Sequence, residues 1–178
     1  MLEQTLGLPQ MVALLVLVQR GVEELYSQFN TRALLRKGAY EVGEEYYPVV
    51  AVTHLCWIAG IALFASTQPP VYSVPLVTFL VLQVLRYWII AALGPYWTHR
   101  IIVLPGAPVV ERGPYRFLRH PNYAVTLAET FLLPLAFGEV ALALIFTIIW
   151  AVVLRYKIIL EDAELEVRRT QGVIQPCR

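Results

Sequence analysis

Long runs of apolar residues are the feature of this 178-residue chain that most limits its possible folds. Hydrophobic residues make up 58% of the sequence and charged residues only 15%, whereas a soluble domain carries about 25% charged residues. Because one core of this size cannot absorb so much apolar surface, we expect much of the chain to lie in lipid. A helix needs about 20 mostly apolar residues to cross the hydrocarbon layer. Five segments come near that length: 6–26, 48–66, 71–93, 122–137 and 140–160.

These segments predict an all-α integral membrane protein with about five transmembrane helices in a single domain, residues 1–178. Only residues 138–139 separate the last two segments, which predicts a tight helical hairpin. The first segment is the weakest, because three charged residues occupy its last turns. Two long connections, 27–47 and 95–121, then lie outside the predicted helices.

The distribution of basic residues predicts the orientation of the chain, because short cytoplasmic loops are enriched in Lys and Arg. Basic residues follow the first and third segments and occur in the C-terminal tail, while the links after the second and fourth segments have none. They are Arg32, Arg36, Lys37, Arg100, Arg112, Arg116, Arg119, Arg168, Arg169 and Arg178. We therefore expect an inner-membrane protein with its N-terminus outside and its C-terminus in the cytoplasm.

Charge and cysteine content exclude two further classes of site. The formal net charge of +1 lacks the basic excess of a nucleic-acid-binding protein. The two cysteines, Cys56 and Cys177, are too few and too far apart for a metal site or a disulfide framework. We expect neither a nucleic-acid partner nor a metal.

The stretch GPYRFLRHPNY, residues 113–123, concentrates charge between two apolar segments. Positive-inside anchoring to lipid phosphates explains the arginines but not the Gly-Pro turn or the proline that opens the next helix. Such a turn and helix start fix side-chain directions, and the N-terminus of a helix favours an anion. The stretch predicts a cytoplasm-facing pocket for an anionic or zwitterionic small molecule at the edge of the bilayer.

Ionisable residues within the apolar segments are costly at membrane depth and usually face the interior of a bundle or a cavity. Arg86 in the third segment and Glu129 in the fourth predict either an interhelical ion pair or a functional role. Arg155 and Lys157, at the end of the fifth segment, predict either snorkelling to the cytoplasmic interface or a site.

GPYRFLRHPNY is followed by an apolar hairpin and then by Arg155, which five residues separate from Glu161-Asp162. This pattern resembles the isoprenylcysteine carboxyl methyltransferase family of membrane enzymes. In that family the Arg-His-Pro-x-Tyr motif and the acidic pair bind S-adenosylmethionine. The stretches 86–113 and 38–48, together with Asn122 and Glu129, are similar to a bacterial branch associated with O-methylation of alkylpyrones and alkylresorcinols. Asp162 is a departure, because the family often has two glutamates there, and Glu164 is the alternative partner.

The resemblance implies a role for each candidate residue in a cofactor-binding half at about 95–178. An arginine, Arg119 or Arg116, would clamp the carboxylate of S-adenosylmethionine. The acidic pair would accept from its ammonium or ribose, and the tyrosines would face its adenine or sulfonium. The cofactor-binding set is Tyr115, Arg119, His120, Pro121, Tyr123, Glu161 and Asp162.

The acceptor implied by the resemblance is a lipophilic molecule in the membrane. A phenolic or pyrone polyketide lipid comes first, an isoprenylcysteine-type carboxylate second and a phospholipid amine third. A phenol or enol benefits from a general base, for which Glu129 is the candidate, with Arg155 or Arg86 stabilising the oxyanion. Two alternatives remain open: an NADPH-dependent membrane reductase of the sterol type, which shares a similar motif, and a non-catalytic structural membrane protein.

Overall fold

The computed structural model describes residues 6–107 and 110–173, with side chains to residue 164. Arg178 and Cys177 lie outside the described residues, as do the side chains of Arg168 and Arg169. Five α-helices account for most of the fold: α1 (Leu8–Leu35), α2 (Tyr47–Phe64), α3 (Ser73–Leu93), α4 (Pro121–Ala136) and α5 (Val140–Val173).

Three stretches of the described residues are helical, long enough and apolar enough to cross a membrane by length and composition: Glu44–Phe64, Ser73–Tyr96 and Val140–Glu164. Helix α4 has 16 residues, fewer than the ~20 that cross a hydrocarbon layer. Helix α1 is long enough but carries Arg20, Glu23 and Glu24. The chain is therefore a helical protein with three candidate membrane-spanning helices, and the count of five stays a prediction.

Helix α1 is longer than the sequence analysis predicted, and the assignment of residues 27–35 to a connection is wrong. The helix continues to Leu35 because polar residues replace apolar ones on its buried face while the helical spacing persists. Its buried residues in this half are Arg20, Glu23, Ser27, Asn30, Thr31 and Leu34. Asn30 Nδ2 donates to the carbonyl oxygens of Gly94 at 3.2 Å and Trp97 at 2.8 Å, so α1 is bonded to the segment that follows α3.

A small sheet lies outside the helices and was not predicted by the all-α assignment. Strand β1 (Tyr40–Val42) pairs antiparallel with β2 (Ile101–Val103), with Glu41 opposite Ile102. Arg100 Nη1 lies 2.9 Å from a Glu41 carboxylate oxygen. The sheet therefore joins the two connections, 27–47 and 95–121, that the sequence analysis left without structure.

The apolar core draws on all five helices, and it includes Trp57, Ile61, Phe79, Leu133 and Phe137. Helix α4 packs against both α3 and α5. The indole Nε1 of Trp57 donates to the carbonyl oxygen of Thr130 at 3.2 Å. This packing holds the N-terminus of α4 beside the later turns of α5, where the candidate site lies.

Candidate functional site

The N-terminus of α4 and the later turns of α5 bring five of the predicted site residues together. His120 Nε2 lies 3.1 Å from Asp162 Oδ1, and His120 Nδ1 lies 3.4 Å from Glu161 Oε2. The Tyr123 hydroxyl donates a hydrogen bond to Glu161 Oε1. The rings of His120 and Tyr123 stack with centroids 5.3 Å apart and planes at 10°. We call this group, His120, Pro121, Tyr123, Glu161 and Asp162, the histidine–carboxylate cluster.

Local backbone constraints before α4 fix the path of the chain that leads to His120 and Tyr123. Gly113 has φ +58° and starts the 3-10 helix Gly113–Arg116. A Cβ at Gly113 would approach Ala92 Cβ to 3.1 Å and Trp88 Nε1 to 3.2 Å, so this turn requires glycine for both conformation and space. Pro121 then occupies the first turn of α4, where its missing N–H costs no helix hydrogen bond.

The carboxylates change the protonation of the groups around them. The hydrogen bond to Glu161 raises the pKa of His120, and Asp162 adds to this effect, while burial opposes it. His120 is thereby favoured as the imidazolium, which donates from both ring nitrogens. Burial raises the pKa of Tyr115, and the charge of Glu161 raises it further, so Tyr115 stays a neutral phenol beside the cluster.

Lys157 lies beside the histidine–carboxylate cluster, and the sequence analysis left both snorkelling and a site open for it. Its side chain is buried, and its Nζ donates to the carbonyl oxygen of His99 at 2.8 Å. The same Nζ lies 4.0 Å from Glu161 Oε1 and 5.1 Å from the centroid of the Tyr123 ring. The spacing of four residues between Lys157 and Glu161, which puts both on one helix face, is the signal that predicts their contact.

Two predicted arginines lie outside the cluster. Arg119 and Arg155 are both exposed, and neither contacts another described residue through a hydrogen bond or an ion pair. Arg116, which the sequence analysis offered as the alternative to Arg119, is exposed as well. The roles of Arg119 in cofactor binding and of Arg155 in oxyanion stabilisation stay predictions.

The other two predicted catalytic residues, Arg86 and Glu129, lie in a buried network with Arg20 and Glu23. Glu23 Oε2 lies 2.7 Å from Arg20 Nη1 and 2.6 Å from Arg86 Nη2. Glu129 Oε2 lies 2.8 Å from Arg20 Nη2 and 3.5 Å from Arg86 Nη1. The network contains two cations and two anions, so its formal charges cancel, as buried charges require. The sequence analysis considered the pair Arg86–Glu129 but missed both partners on α1.

Glu129 is enclosed by donors on both of its oxygens. Gln83 Nε2 donates to Glu129 Oε1 at 2.9 Å, and the two guanidinium groups approach Oε2. These donors occupy the lone pairs with which a base would accept a proton. The general-base role of Glu129 stays a prediction.

The donors and acceptors of the cluster fit S-adenosylmethionine. Its ammonium and ribose hydroxyls need acceptors, which Glu161 and Asp162 would provide. Its carboxylate needs a donor, and an N–H of His120 would serve only by turning from the carboxylate that it faces here. Asn122 Oδ1 is buried beside them and accepts no hydrogen bond from the described residues. A buried acceptor without a donor is costly, and an amine or hydroxyl of a bound ligand would satisfy it.

An apolar cleft of about 280 Å³ opens between α3 and the start of α4. Trp88 lies on the α3 side of the cleft, while Pro114 and Pro121 lie on the side of the 113–123 stretch. The described lining contains no charged residue, so the cleft accommodates hydrocarbon and not a polar group.

Three helices long and apolar enough to cross a membrane indicate a membrane protein, and the histidine–carboxylate cluster is its candidate site. The profile of the isoprenylcysteine carboxyl methyltransferase family matches residues 74–167, which is more than half of the chain. The chain belongs to that family, and membrane methyl transfer is the class of activity that membership indicates.

Two bacterial relatives are similar to much of the chain. The uncharacterized protein YpbQ of Bacillus subtilis is 33% identical over 160 residues, which cover 88% of this chain and 95% of that protein. An uncharacterized protein of Haemophilus influenzae is 22% identical over 102 residues, which cover 55% and 59%. No solved structure matches the chain at a significant level. Because neither relative is characterized, the similarity to the alkylpyrone and alkylresorcinol branch stays a prediction.

Proposed function

We propose that this protein is an S-adenosylmethionine-dependent O-methyltransferase that acts on a lipophilic acceptor at the cytoplasmic face of the membrane. The observation that carries the proposal is the histidine–carboxylate cluster, in which α4 and α5 bring His120 within 3.1 Å of Asp162 and 3.4 Å of Glu161. Family membership supports methyl transfer as the reaction. S-adenosylmethionine would supply an electrophilic methyl group on its sulfonium.

In this proposal the residues of the chain bind and orient the two substrates. His120 and Arg119 hold the carboxylate of the cofactor, and Glu161 and Asp162 hold its ammonium or its ribose. Tyr115 and Tyr123 present their ring faces to the adenine or the sulfonium of the cofactor. Methyl transfer is an in-line displacement, so positioning of this kind supplies a large part of the rate.

The proposed acceptors are those of the sequence analysis, in the same order. The preferred acceptor is a phenolic or pyrone polyketide lipid, the second is an isoprenylcysteine-type carboxylate, and the third is a phospholipid amine. The apolar cleft beside Pro121 and the three apolar helices support an acceptor that reaches the site from the membrane.

Direct binding of the cofactor tests the proposal. Purified protein in detergent micelles should bind labelled S-adenosylmethionine saturably, and His120→Ala should weaken binding by at least about tenfold, since it removes a charge-assisted hydrogen bond. Arg119→Ala should weaken binding, and Arg36→Ala, at an equally exposed arginine outside the candidate site, serves as its matched control. Preferential binding of NADPH, or no saturable binding of either molecule, would refute the proposal.

We also propose five spans, with the N-terminus outside and the C-terminus in the cytoplasm. The exposed apolar residues of α1, among them Leu14, Leu15 and Val18, support its contact with lipid. Single cysteines placed at the two links after α2 and α4 should react with a membrane-impermeant maleimide from the periplasmic side. Labelling from the cytoplasmic side alone would contradict this topology.

A further inference from the structure

A second pair of titratable side chains, Glu24 and His99, lies next to the histidine–carboxylate cluster and has no role in the function proposed above. Glu24 Oε2 lies 2.7 Å from His99 Nδ1. The other carboxylate oxygen of Glu24 accepts from the Tyr47 hydroxyl at 2.5 Å and from Gln28 Nε2 at 2.9 Å. The backbone N–H of His99 donates to Ser27 Oγ at 2.8 Å. These contacts fix both the carboxylate and the imidazole.

The arrangement selects one tautomer of His99. A carboxylate can only accept, so Nδ1 carries the proton that it donates to Glu24, and Nε2 retains its lone pair. No described residue bonds to Nε2, and the side chain keeps 20% of its surface accessible. An imidazole oriented by a carboxylate, with its other nitrogen free, is the arrangement of a general base.

Several charged or titratable groups from the surrounding helices act on His99. Glu24 approaches from α1, His54 from α2, Arg86 from α3 and Lys157 from α5. Burial lowers the pKa of His99 and the two cations lower it further, while Glu24 opposes the shift. The ring is therefore neutral at pH 7, which is the form that accepts a proton.

Lys157 connects this pair to the cluster. Its Nζ donates to the carbonyl oxygen of His99 at 2.8 Å and lies 4.0 Å from Glu161 Oε1. One ammonium group thus separates His99 from a carboxylate of the cluster. That ammonium has three N–H donors, and its one hydrogen bond to a described residue uses a single donor. The others remain for an oxygen that gains negative charge.

We propose that His99 is the general base of the reaction, that Glu24 positions it, and that Lys157 stabilises the acceptor oxygen as it loses its proton. This inference rests on the proposed function and narrows its acceptor to a hydroxyl compound, a phenol or an enol. The acceptor proton moves to His99 Nε2 while the oxygen lone pair forms the O–CH3 bond. The methyl–sulfur bond breaks with its electron pair left on sulfur, and His99 then releases the proton to water.

Substrate class provides the first test, with a long-chain 5-alkylresorcinol and an S-farnesylated N-acetylcysteine as the two probes. A carboxylate is already ionised at pH 7 and needs no base, whereas a phenol with a pKa near 10 does. We expect methylation of the alkylresorcinol, and His99→Gln should lower its kcat by about 10²-fold or more. The affinity for S-adenosylmethionine should change by less than about twofold, since His99 lies outside the cofactor set.

The pH profile separates a chemical role of His99 from a structural one. In the wild type the rate should fall at low pH as His99 is protonated, and we call this part of the profile the acid limb. In His99→Gln the acid limb should be lost, and the remaining rate should rise in proportion to hydroxide. Glu24→Gln should lose the acid limb as well and show an intermediate kcat. Glu129→Gln, at the base predicted from sequence, unbalances the buried network and should lower stability, but its remaining rate should still fall at low pH as in the wild type. The inference is overturned if Glu129→Gln loses the acid limb, if His99→Gln keeps the wild-type kcat, or if only the carboxylate probe is methylated. In that last case the proposed methyltransferase function still stands.

A second measurement needs no turnover. Diethyl pyrocarbonate modifies neutral, accessible imidazole nitrogens, and peptide mass spectrometry resolves His54, His99 and His120. His99 should be modified with a midpoint below the ordinary histidine pKa of about 6.5, and His120 with a midpoint above it. An unreactive His99 in the folded protein would overturn the inference, even if S-adenosylmethionine does not bind.

Discussion

The buried network between α1, α3 and α4 predicts a specific cost for the removal of Arg86. Arg86 donates to both carboxylate oxygens of Glu23, from Nε at 2.9 and 3.0 Å and from Nη2 at 2.6 Å. Arg86→Met keeps most of the side-chain volume but leaves the network with one cation against two anions. An uncompensated buried charge costs about 3–5 kcal/mol, so we expect a loss of that size in the free energy of unfolding.

Restoring the charge balance should recover part of this loss. Glu23→Gln in the Arg86→Met background removes one anion and leaves Arg20 with Glu129, a neutral pair at 2.8 Å. We therefore expect the double variant to be more stable than the sum of the two single variants predicts, with a coupling energy of about 2–3 kcal/mol. The amide at position 23 and the Arg20–Glu129 pair would remain buried, so we do not expect full wild-type stability.

Unfolding in detergent micelles, followed by the helical circular dichroism signal as dodecyl sulfate is added, measures these differences. Arg36→Met is the matched control, because Arg36 is exposed and its side chain donates only to the carbonyl oxygen of Arg32 on its own helix. It should change the free energy of unfolding by less than about 0.5 kcal/mol. If the two single costs add to within about 0.5 kcal/mol in the double variant, the charge-balance reasoning is refuted.

Three other predictions concern the site and one turn. Because the pKa of His120 is raised by its bond to Glu161, its stabilisation should be fully present below about pH 6.5 and lost as pH rises through the raised pKa. His120→Gln should flatten this dependence of the thermal midpoint, and an unchanged slope would contradict the ion pair. Asn122→Ala should weaken S-adenosylmethionine binding without lowering the thermal midpoint; equal affinity would show that its buried oxygen does not meet the ligand. Gly138→Ala should lower the free energy of unfolding by about 1 kcal/mol, because φ is +79° there. Gly21→Ala should raise it by about 0.5–1 kcal/mol, because Gly21 lies in α1 with open space around it.

The histidine side of the histidine–carboxylate cluster was predictable because its signals are local. Pro121 marks a helix start, and a turn before it fixes the neighbours of His120. The resemblance to the family adds the acidic pair 161–162 on another helix. The structure places these residues together, while their roles stay predictions.

The contacts of α1 were not predictable in the same way. Arg20 and Glu23 weakened the first apolar segment as a membrane span, and the sequence analysis predicted no partner for either of them. Their true partners, Arg86 and Glu129, lie more than 60 residues away in the chain, and only the tertiary packing pairs them. The two short strands escaped prediction for a similar reason, because three residues give too little alternation to indicate a strand.

Helix α4 is short, and its length makes bilayer thickness relevant to the proposed site. Sixteen residues extend about 24 Å at 1.5 Å per residue, less than the ~30 Å of a typical hydrocarbon layer. If α4 crosses the membrane as proposed, the surrounding lipid must thin or flanking residues must extend to the interface, and His120 lies at one end of this short helix. Reconstitution into bilayers of shorter acyl chains should therefore favour exchange of the cofactor. Thicker bilayers should draw the histidine–carboxylate cluster below the headgroups and slow that exchange.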